Sequence, residues 1–306
     1  MLARPFDWRD LPYLHALRSK TLFLDKGLVL TRGSLQVVGA MLSSVLPGVG
    51  IFTAVAQHEK HPRLRLIGQV MHHSERDAAS LTFLTPARLA RPEWLIPLLR
   101  LLAQQAAAHH ALRLLAEIET DSSVLPSLME CGFQAYGEQR IWKLPKTGVP
   151  GNHSGGRWRM AHAADLPGIQ RLYKRITPAA TLRIFPALPS VPSGLVFARG
   201  DAILGYVALR YGLAGVVAQP LLQPEMSAPT VENALAMLAE ISLSRGRPLY
   251  VCVRTDQQWL DSLLLDLGAS VGPLQTLLIK PLTTSPLKAR DTGALSLARR
   301  SGLLAL

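Results

Sequence analysis

Cysteine is nearly absent: Cys131 and Cys252 are the two in 306 residues. Both stand in apolar surroundings without CxxC or Cys/His spacing. That excludes a disulfide framework and a zinc site and leaves two buried, reduced thiols. Aromatic residues make up 6% and charged residues 18%, a sparse complement for a soluble chain. Acidic groups are the scarcer sign, with 21 Asp and Glu against 33 Lys and Arg, a formal net charge of +12. Such an excess attracts phosphates, nucleic acids or anionic membranes. Here the basic residues are scattered and form no run that marks a nucleic-acid patch, so nucleic acid remains only a secondary candidate partner. The N-terminus carries Arg4, Asp7, Arg9 and Asp10 and no apolar core. A secretory leader is therefore not expected, and the cytoplasm is the expected location. The one long uncharged run, Ser34 to Ala56, is divided by Pro47-Gly48-Val49-Gly50. It reads as a helix over Leu35 to Leu46, a turn and a strand rather than a membrane span. Also missing are G-x-S-x-G, a P-loop and a dinucleotide fingerprint. His72-His73 and His109-His110 are adjacent pairs whose members point apart, so no metal site is expected.

What is present is a repeat, whose detection comes before any reading of fold. Arg4 and Asp10-Leu11-Pro12 return, at one common offset, as Arg159 and Asp165-Leu166-Pro167. Leu14 and Leu17 return as Ile169 and Leu172. Each copy reads as a short strand, a capping Asp, a Pro in the first helical turn and apolar residues at helical spacing. Leu66-Ile67-Gly68-Gln69-Val70 resembles Ile203-Leu204-Gly205-Tyr206-Val207, and Thr120-Asp121 and Thr255-Asp256 each precede a helix ending at Gly132 or Gly268. The second offset is shorter, so the first copy carries an insertion ahead of its Gly68 strand.

Residues 145–156, PKTGVPGNHSGG, have linker composition. The expected organisation is a first domain over 1–144, that linker, a second, degenerate domain over 157–282 and a tail over 283–306. The tail reads as frayed, or as a basic amphipathic helix docking on the body or a partner. In copy one the pattern predicts strands over 50–57, 64–73 and 79–84, a helix over 92–110, a strand over 113–119, a helix over 122–131 and closing strands over 133–144. In copy two it predicts strands over 194–199, 203–211 and 215–222, a helix over 230–244, a strand over 249–253, a helix over 257–267 and a last strand over 271–281. A meander followed by strand–helix–strand–helix–strand is a mixed α/β sheet with a parallel crossover.

That order, with the opening Arg…Asp-Leu-Pro, the Leu-Gly-x-Val strand and the helix closing at Gly132-Phe133 or Gly268-Ala269, resembles the GNAT superfamily of N-acetyltransferases over most of both copies. The resemblance implies two GNAT-like α/β domains. Each would be a mixed, mostly antiparallel sheet with a parallel, splayed strand pair flanked by helices. It implies acetyl-CoA as co-substrate, with its pantetheine arm between the splayed strands and its pyrophosphate on the loop before the next helix, whose first N–H groups are unpaired. The matching positions are Leu84, Arg88, Leu89, Ala90 and Arg91 in copy one and Leu222, Ser227, Ala228 and Thr230 in copy two. Neither loop carries the family's glycines, and Glu93 and Glu232 stand where phosphate would lie.

The Tyr that many members use as an acid is replaced by Leu128 and Leu264. Tyr136 is the nearby alternative, and Glu117 or Glu119 would act as general base toward an amine if one faces the cleft with a raised pKa. The five tryptophans read as core or interface anchors. Two functions follow. One is acetyl transfer from acetyl-CoA to a small-molecule or peptide amine, with Arg88 and Arg91 replacing lost phosphate contacts. The other is a non-catalytic tandem binding or interaction protein. An RNA-associated role is a third and weaker reading, and no oligomeric state is indicated.

Overall fold

The computed structural model describes residues 1–33, 50–73, 77–145, 158–185, 188, 191–224, 226–243 and 246–282. The helix expected over Leu35 to Leu46, nearly all of the linker and the tail over 283–306 lie outside the described residues.

Each half opens with the repeated Arg and Asp, and they bond to each other. Arg4, on β1 (Leu2–Pro5), forks onto Asp10 with both contacts at 2.7 Å. Arg159, on β8 (Trp158–Met160), forks onto Asp165 with the same two distances. The Asp was expected to cap the following helix. Neither side chain caps α1 (Leu11–Ala16) or, in copy two, the helix Leu166–Ile176. Instead Asp10 accepts the N–H of Asp7 at 3.1 Å and Asp165 that of His162 at 2.8 Å. The repeated signature is thus a clamp that ties strand end to helix start. Pro12 and Pro167 sit in the first turn, where no N–H is needed.

The remaining elements of copy one are β2 (Leu22–Phe23), α2 (Lys26–Arg32), β3 (Ile51–Gln57), β4 (Arg65–His73), β5 (Ala78–Thr85), α3 (Pro92–Ala108), β6 (Arg113–Glu119), α4 (Leu125–Glu130) and β7 (Gln134–Lys143). Copy two continues with α5 (Leu166–Ile176), α6 (Ala179–Ile184), β9 (Gly194–Arg199), β10 (Ala202–Tyr211), β11 (Val216–Leu222), α7 (Ala228–Leu243), β12 (Leu249–Arg254), α8 (Leu260–Asp266), β13 (Ser270–Val271) and β14 (Gln275–Pro281). The helices α4 and α8 begin later than expected, after a turn and a short 3-10 segment. The sequence reading had not placed β2, α2 or α6.

Among the described residues all strands join one sheet in the order β1-β3-β4-β5-β6-β14-β7-β12-β11-β10-β9-β8, with β2 beside β5 and β13 beside β7. The two copies run inward from opposite edges in the same order. Their closing strands are exchanged: β14 pairs with β6 of copy one, and β7 pairs with β12 of copy two. The inner strands of both copies therefore present no open edge. The parallel pair β5–β6 is bonded only over Ala78–Ser80 with Arg113–Leu115, and β11–β12 only over Val216–Ala218 with Leu249–Val251. Past those points each pair forks.

One face is covered by α3 and α4 in copy one and by α7 and α8 in copy two, each over its own apolar core. The repeated glycines of β4 and β10 permit close packing there. A Cβ on Gly68 would stand 2.9 Å from Leu98, and one on Gly205 2.8 Å from the Trp158 ring. The opposite face carries α1 against Val55, Ile67 and Phe83, and α5 against Val196 and Tyr206. Gly132 and Gly268 hold φ of +89° and +73° at the ends of α4 and α8, the left-handed stop their sequence announced. Trp94, Trp142 and Trp158 are buried; Trp8 is not, being 71% exposed with the Arg9 guanidinium 5.6 Å from its ring. Both cysteines are buried and free.

Candidate active site

A cavity of about 340 Å³ lies on the α2/α5 face where the two copies meet. Its walls come from both. The β6 strand contributes Glu117; β7 contributes Tyr136, Gln139 and Ile141; β12 contributes Cys252 and Arg254. Val217, Gln219 and Leu221 of β11 and Arg210 of β10 complete the floor, beneath Ile169 and Tyr173 of α5 and Phe185. Because side chains alternate along strands, the neighbours Ile118, Val251 and Val253 go to the helical cores instead.

In copy one the fork is filled by the chain itself. Leu22 and Phe23 pair with Leu84 and Phe83 of β5. The Leu24 N–H donates to the Thr82 carbonyl at 2.9 Å, and the Glu117 N–H donates to the Leu24 carbonyl at 2.8 Å. The Leu24 side chain is fully buried among residues of the α3 core. The segment then turns into α2. Asp25 accepts the Leu28 N–H at 2.8 Å and pairs with Arg210 at 3.5 Å, and the Lys26 N–H donates to Glu117 Oε2 at 3.0 Å.

Glu117 is the perturbed group of the site. Burial and the negative charge of Asp25 push its pKa up from 4.5 to about 7, against the pull of Arg210, the Lys26 N–H and Arg254. Burial likewise pushes the Cys252 thiol to about 12, with Glu117 adding to the shift. That thiol donates to Gln139 Oε1 at 3.1 Å and is no nucleophile. Burial also raises Asp256. Tyr136 meets the Phe185 ring edge-on, 5.7 Å between centroids.

Copy two has no inserted segment among the described residues. Its fork is bridged by one side chain: Gln257 accepts the Leu222 N–H at 2.9 Å and donates to the Leu222 carbonyl at 3.1 Å. The loop that follows differs from its counterpart. In copy one the Leu89, Ala90 and Arg91 N–H groups are consumed by the carbonyls of Pro86, Ala87 and Leu89. In copy two the N–H groups of Ser227 and Ala228, at the start of α7, have no acceptor among the described residues.

The sequence candidates are therefore distributed as follows. Glu117 and Tyr136 come together in the cavity, whereas Glu119 lies at the end of β6 and pairs with Lys26 at 3.0 Å. Leu84 and Ala90 are buried, Leu89 is half-buried, and Arg88 and Arg91 are exposed and do not line the cavity. Leu222 stands at the open fork and Ser227 and Ala228 at the α7 start, while Thr230 is buried with its carbonyl accepting from Trp158 Nε1 at 2.7 Å. Sequence reasoning missed Arg254, Arg210, Asp25 and Gln257. Thr255-Asp256 signals a helix start, and the residues flanking that signal are the available clue.

No protein-family model matches the sequence, and no curated protein matches it. Solved structures do. A GCN5-related N-acetyltransferase from Sphaerobacter thermophilus aligns over 92% of this chain and 95% of its own, at 12% identity and a TM-score of 0.56. A tandem GNAT protein from the clavulanic acid biosynthesis pathway aligns over 92% of this chain and 99% of its own, at 13% identity and a TM-score of 0.54. At such identities the likeness is one of fold.

Proposed function

Because the chain carries the tandem fold of the GCN5-related N-acetyltransferases, we propose that it is an N-acyltransferase with a single working site, the cavity between its two copies. The acyl donor would enter through the fork of copy two. The observation that carries this reading is that Glu117, a half-buried carboxyl group of copy one, shares one cavity with Val217, Leu221 and Arg254 of copy two's forked strands.

The two forks differ in how they suit acetyl-CoA, the donor that the fold implies. Copy one does not fit it. Leu22 to Leu24 already bond to both forked strands, and the loop N–H groups that would meet phosphate are spent. Copy two fits better. Leu222 offers an N–H and a carbonyl now held by a side-chain amide, and Ser227 and Ala228 offer N–H groups at the start of a long helix. Acetyl-CoA would supply an acyl thioester there, its sulfur leaving as the amide bond forms. The protein's part is to accept the proton of the attacking amine at Glu117, whose pKa near 7 suits that exchange at neutral pH. Tyr136 lines the same cavity and would donate a proton to the departing sulfur.

The test is calorimetry of the full chain with acetyl-CoA. One site per chain is expected, together with a rise in melting temperature. Two equivalent sites, or none at millimolar concentration, would overturn the reading. A second reading, a non-catalytic binding protein, is favoured by the plug in copy one and by the absence of glycine from both loops. It predicts ligand binding in the cavity without acetyl-CoA affinity.

A further inference from the structure

The cavity contains an arginine whose charge no carboxylate answers among the described residues. Arg254 lines it, makes no ion pair among the described residues, and its Nε is shut off from solvent without an acceptor. The other guanidinium of the cavity, Arg210, is paired with Asp25. Asp256 faces the same cavity two residues further on, yet forms no ion pair with Arg254. A guanidinium nitrogen shut off from water without an acceptor is costly to fold. Its planar fork of donors is complementary to a carboxylate.

Opposite charge is also present. Glu117, Asp25 and Asp256 line the same space. A ligand bearing only a positive charge would leave Arg254 unanswered, and one bearing only a negative charge would face three carboxyl groups. The remaining walls are apolar, with Ile169, Val217, Leu221 and Phe185 among them. The volume, about 340 Å³, falls within the range of small-molecule sites.

We infer that the cavity binds a free α-amino acid with an apolar side chain, its carboxylate on Arg254 and its amine at Glu117. This rests on the cavity being the acceptor site proposed above, and names the acceptor's class. The carboxylate satisfies Arg254, the ammonium lies among the carboxyl groups, and the zwitterion adds no net charge to a buried space. The same pose presents the amine to the group assigned to take its proton.

The experiment uses the full chain and calorimetry without acyl donor. L-leucine and L-phenylalanine are compared with 3-methylbutylamine and phenethylamine, which lack the carboxylate. They are also compared with 4-methylpentanoate and 3-phenylpropanoate, which lack the amine. The amino acids are expected to bind at least tenfold more tightly than either truncated series. Equal affinity for the amines, or binding by none of the three series, overturns the inference. Arg254→Gln and Arg254→Lys are each expected to lose tenfold or more toward the amino acids and little toward the amines. Unchanged amino-acid affinity in either folded variant overturns it as well. Acetyl-CoA is titrated in parallel to separate the two claims. Amino-acid binding without acetyl-CoA binding sustains the amino-acid site and removes its role as acyl acceptor. Acetyl-CoA binding without amino-acid binding removes this inference alone.

Discussion

The carbonyl of Leu24 accepts the N–H of Glu117 at 2.8 Å, and this bond closes the fork of copy one. The same residue's N–H reaches Thr82 on the other tine, so a single residue spans strands that would otherwise stand apart with unpaired groups. Its side chain has no exposure and packs into the α3 core. Leu24→Ala should therefore cost about 2–5 kcal/mol, as for a fully buried leucine, with the loss read from denaturant midpoints at unchanged m. A loss within the range of surface substitutions would mean that the plug is not part of the folded core.

Glu117 links the site to pH. The groups that face it are Asp25, Arg210, Arg254 and Cys252. Its folded pKa is raised from 4.5 to about 7, so its contribution to stability is full below the unfolded value and is lost as pH rises through about 7. Glu117→Gln removes that dependence. Relative to the variant, the parent protein should lose roughly 3 kcal/mol between about pH 4 and about pH 8. Chemical denaturation of both proteins across that range measures the difference, and parallel stability curves would refute the shifted carboxyl.

The same substitution should lower acyl transfer by about 10²–10⁴-fold, the usual contribution of a general base. In the parent, the rate should climb through a pKa near 7 as the carboxyl ionises. A variant with undiminished rate and an unshifted profile would place the base elsewhere.

The fold was legible where a residue type had one physical use. Gly132 and Gly268 ended helices, Pro12 and Pro167 began them, and the Gly68 and Gly205 strands proved to be strands under closely packed side chains. The Arg4–Asp10 repeat was visible but its chemistry was not, because a helix cap and an ion pair draw on the same Asp. The strand exchange was illegible: β7 and β14 each close one copy in the sequence pattern, and nothing local says which partner each will take. The cavity was half legible. Glu117 and Tyr136 were marked from the copy in which they lie, whereas Arg254 and Arg210 gain meaning only once two distant halves share a wall. The plug at Leu22 to Leu24 lay in a stretch too short to show any periodicity.

Gln257 answers both backbone groups of Leu222 with one amide. Gln257→Leu keeps the volume and removes both partners, leaving a buried N–H and a buried carbonyl unsatisfied at about 1–3 kcal/mol each. Gln257→Glu keeps the acceptor and, when ionised, loses the donor. The expected order of stability is parent, then Glu, then Leu, checked by thermal and urea unfolding. If the Leu variant is as stable as the parent, water or the strand itself satisfies Leu222 and the bridge has no structural weight.

The two clamps that open the copies differ in depth, and that difference is measurable. Asp10 has no side-chain exposure and is held by Arg4 at 2.7 Å and Arg65 at 2.8 Å. Burial pushes its carboxyl upward, but the Arg4 fork, the Asp7 N–H and Arg65 pull harder, and its pKa ends below the usual value. The Arg159 fork holds Asp165 at about 2, yet Arg159 is 46% exposed. Arg4→Ala leaves a buried carboxylate with one guanidinium and should cost about 3 kcal/mol. Arg159→Ala breaks a solvated pair and should cost about 1 kcal/mol or less. Both carboxyl groups have lowered folded pKa values, so their stabilisation is present above the unfolded value and is lost as pH falls through the folded one. Acid unfolding of Arg4→Ala should therefore begin at higher pH than that of the parent, and the Arg159→Ala transition should move less. Equal losses and equal acid shifts in the two variants would show that the buried clamp is no stronger than the exposed one.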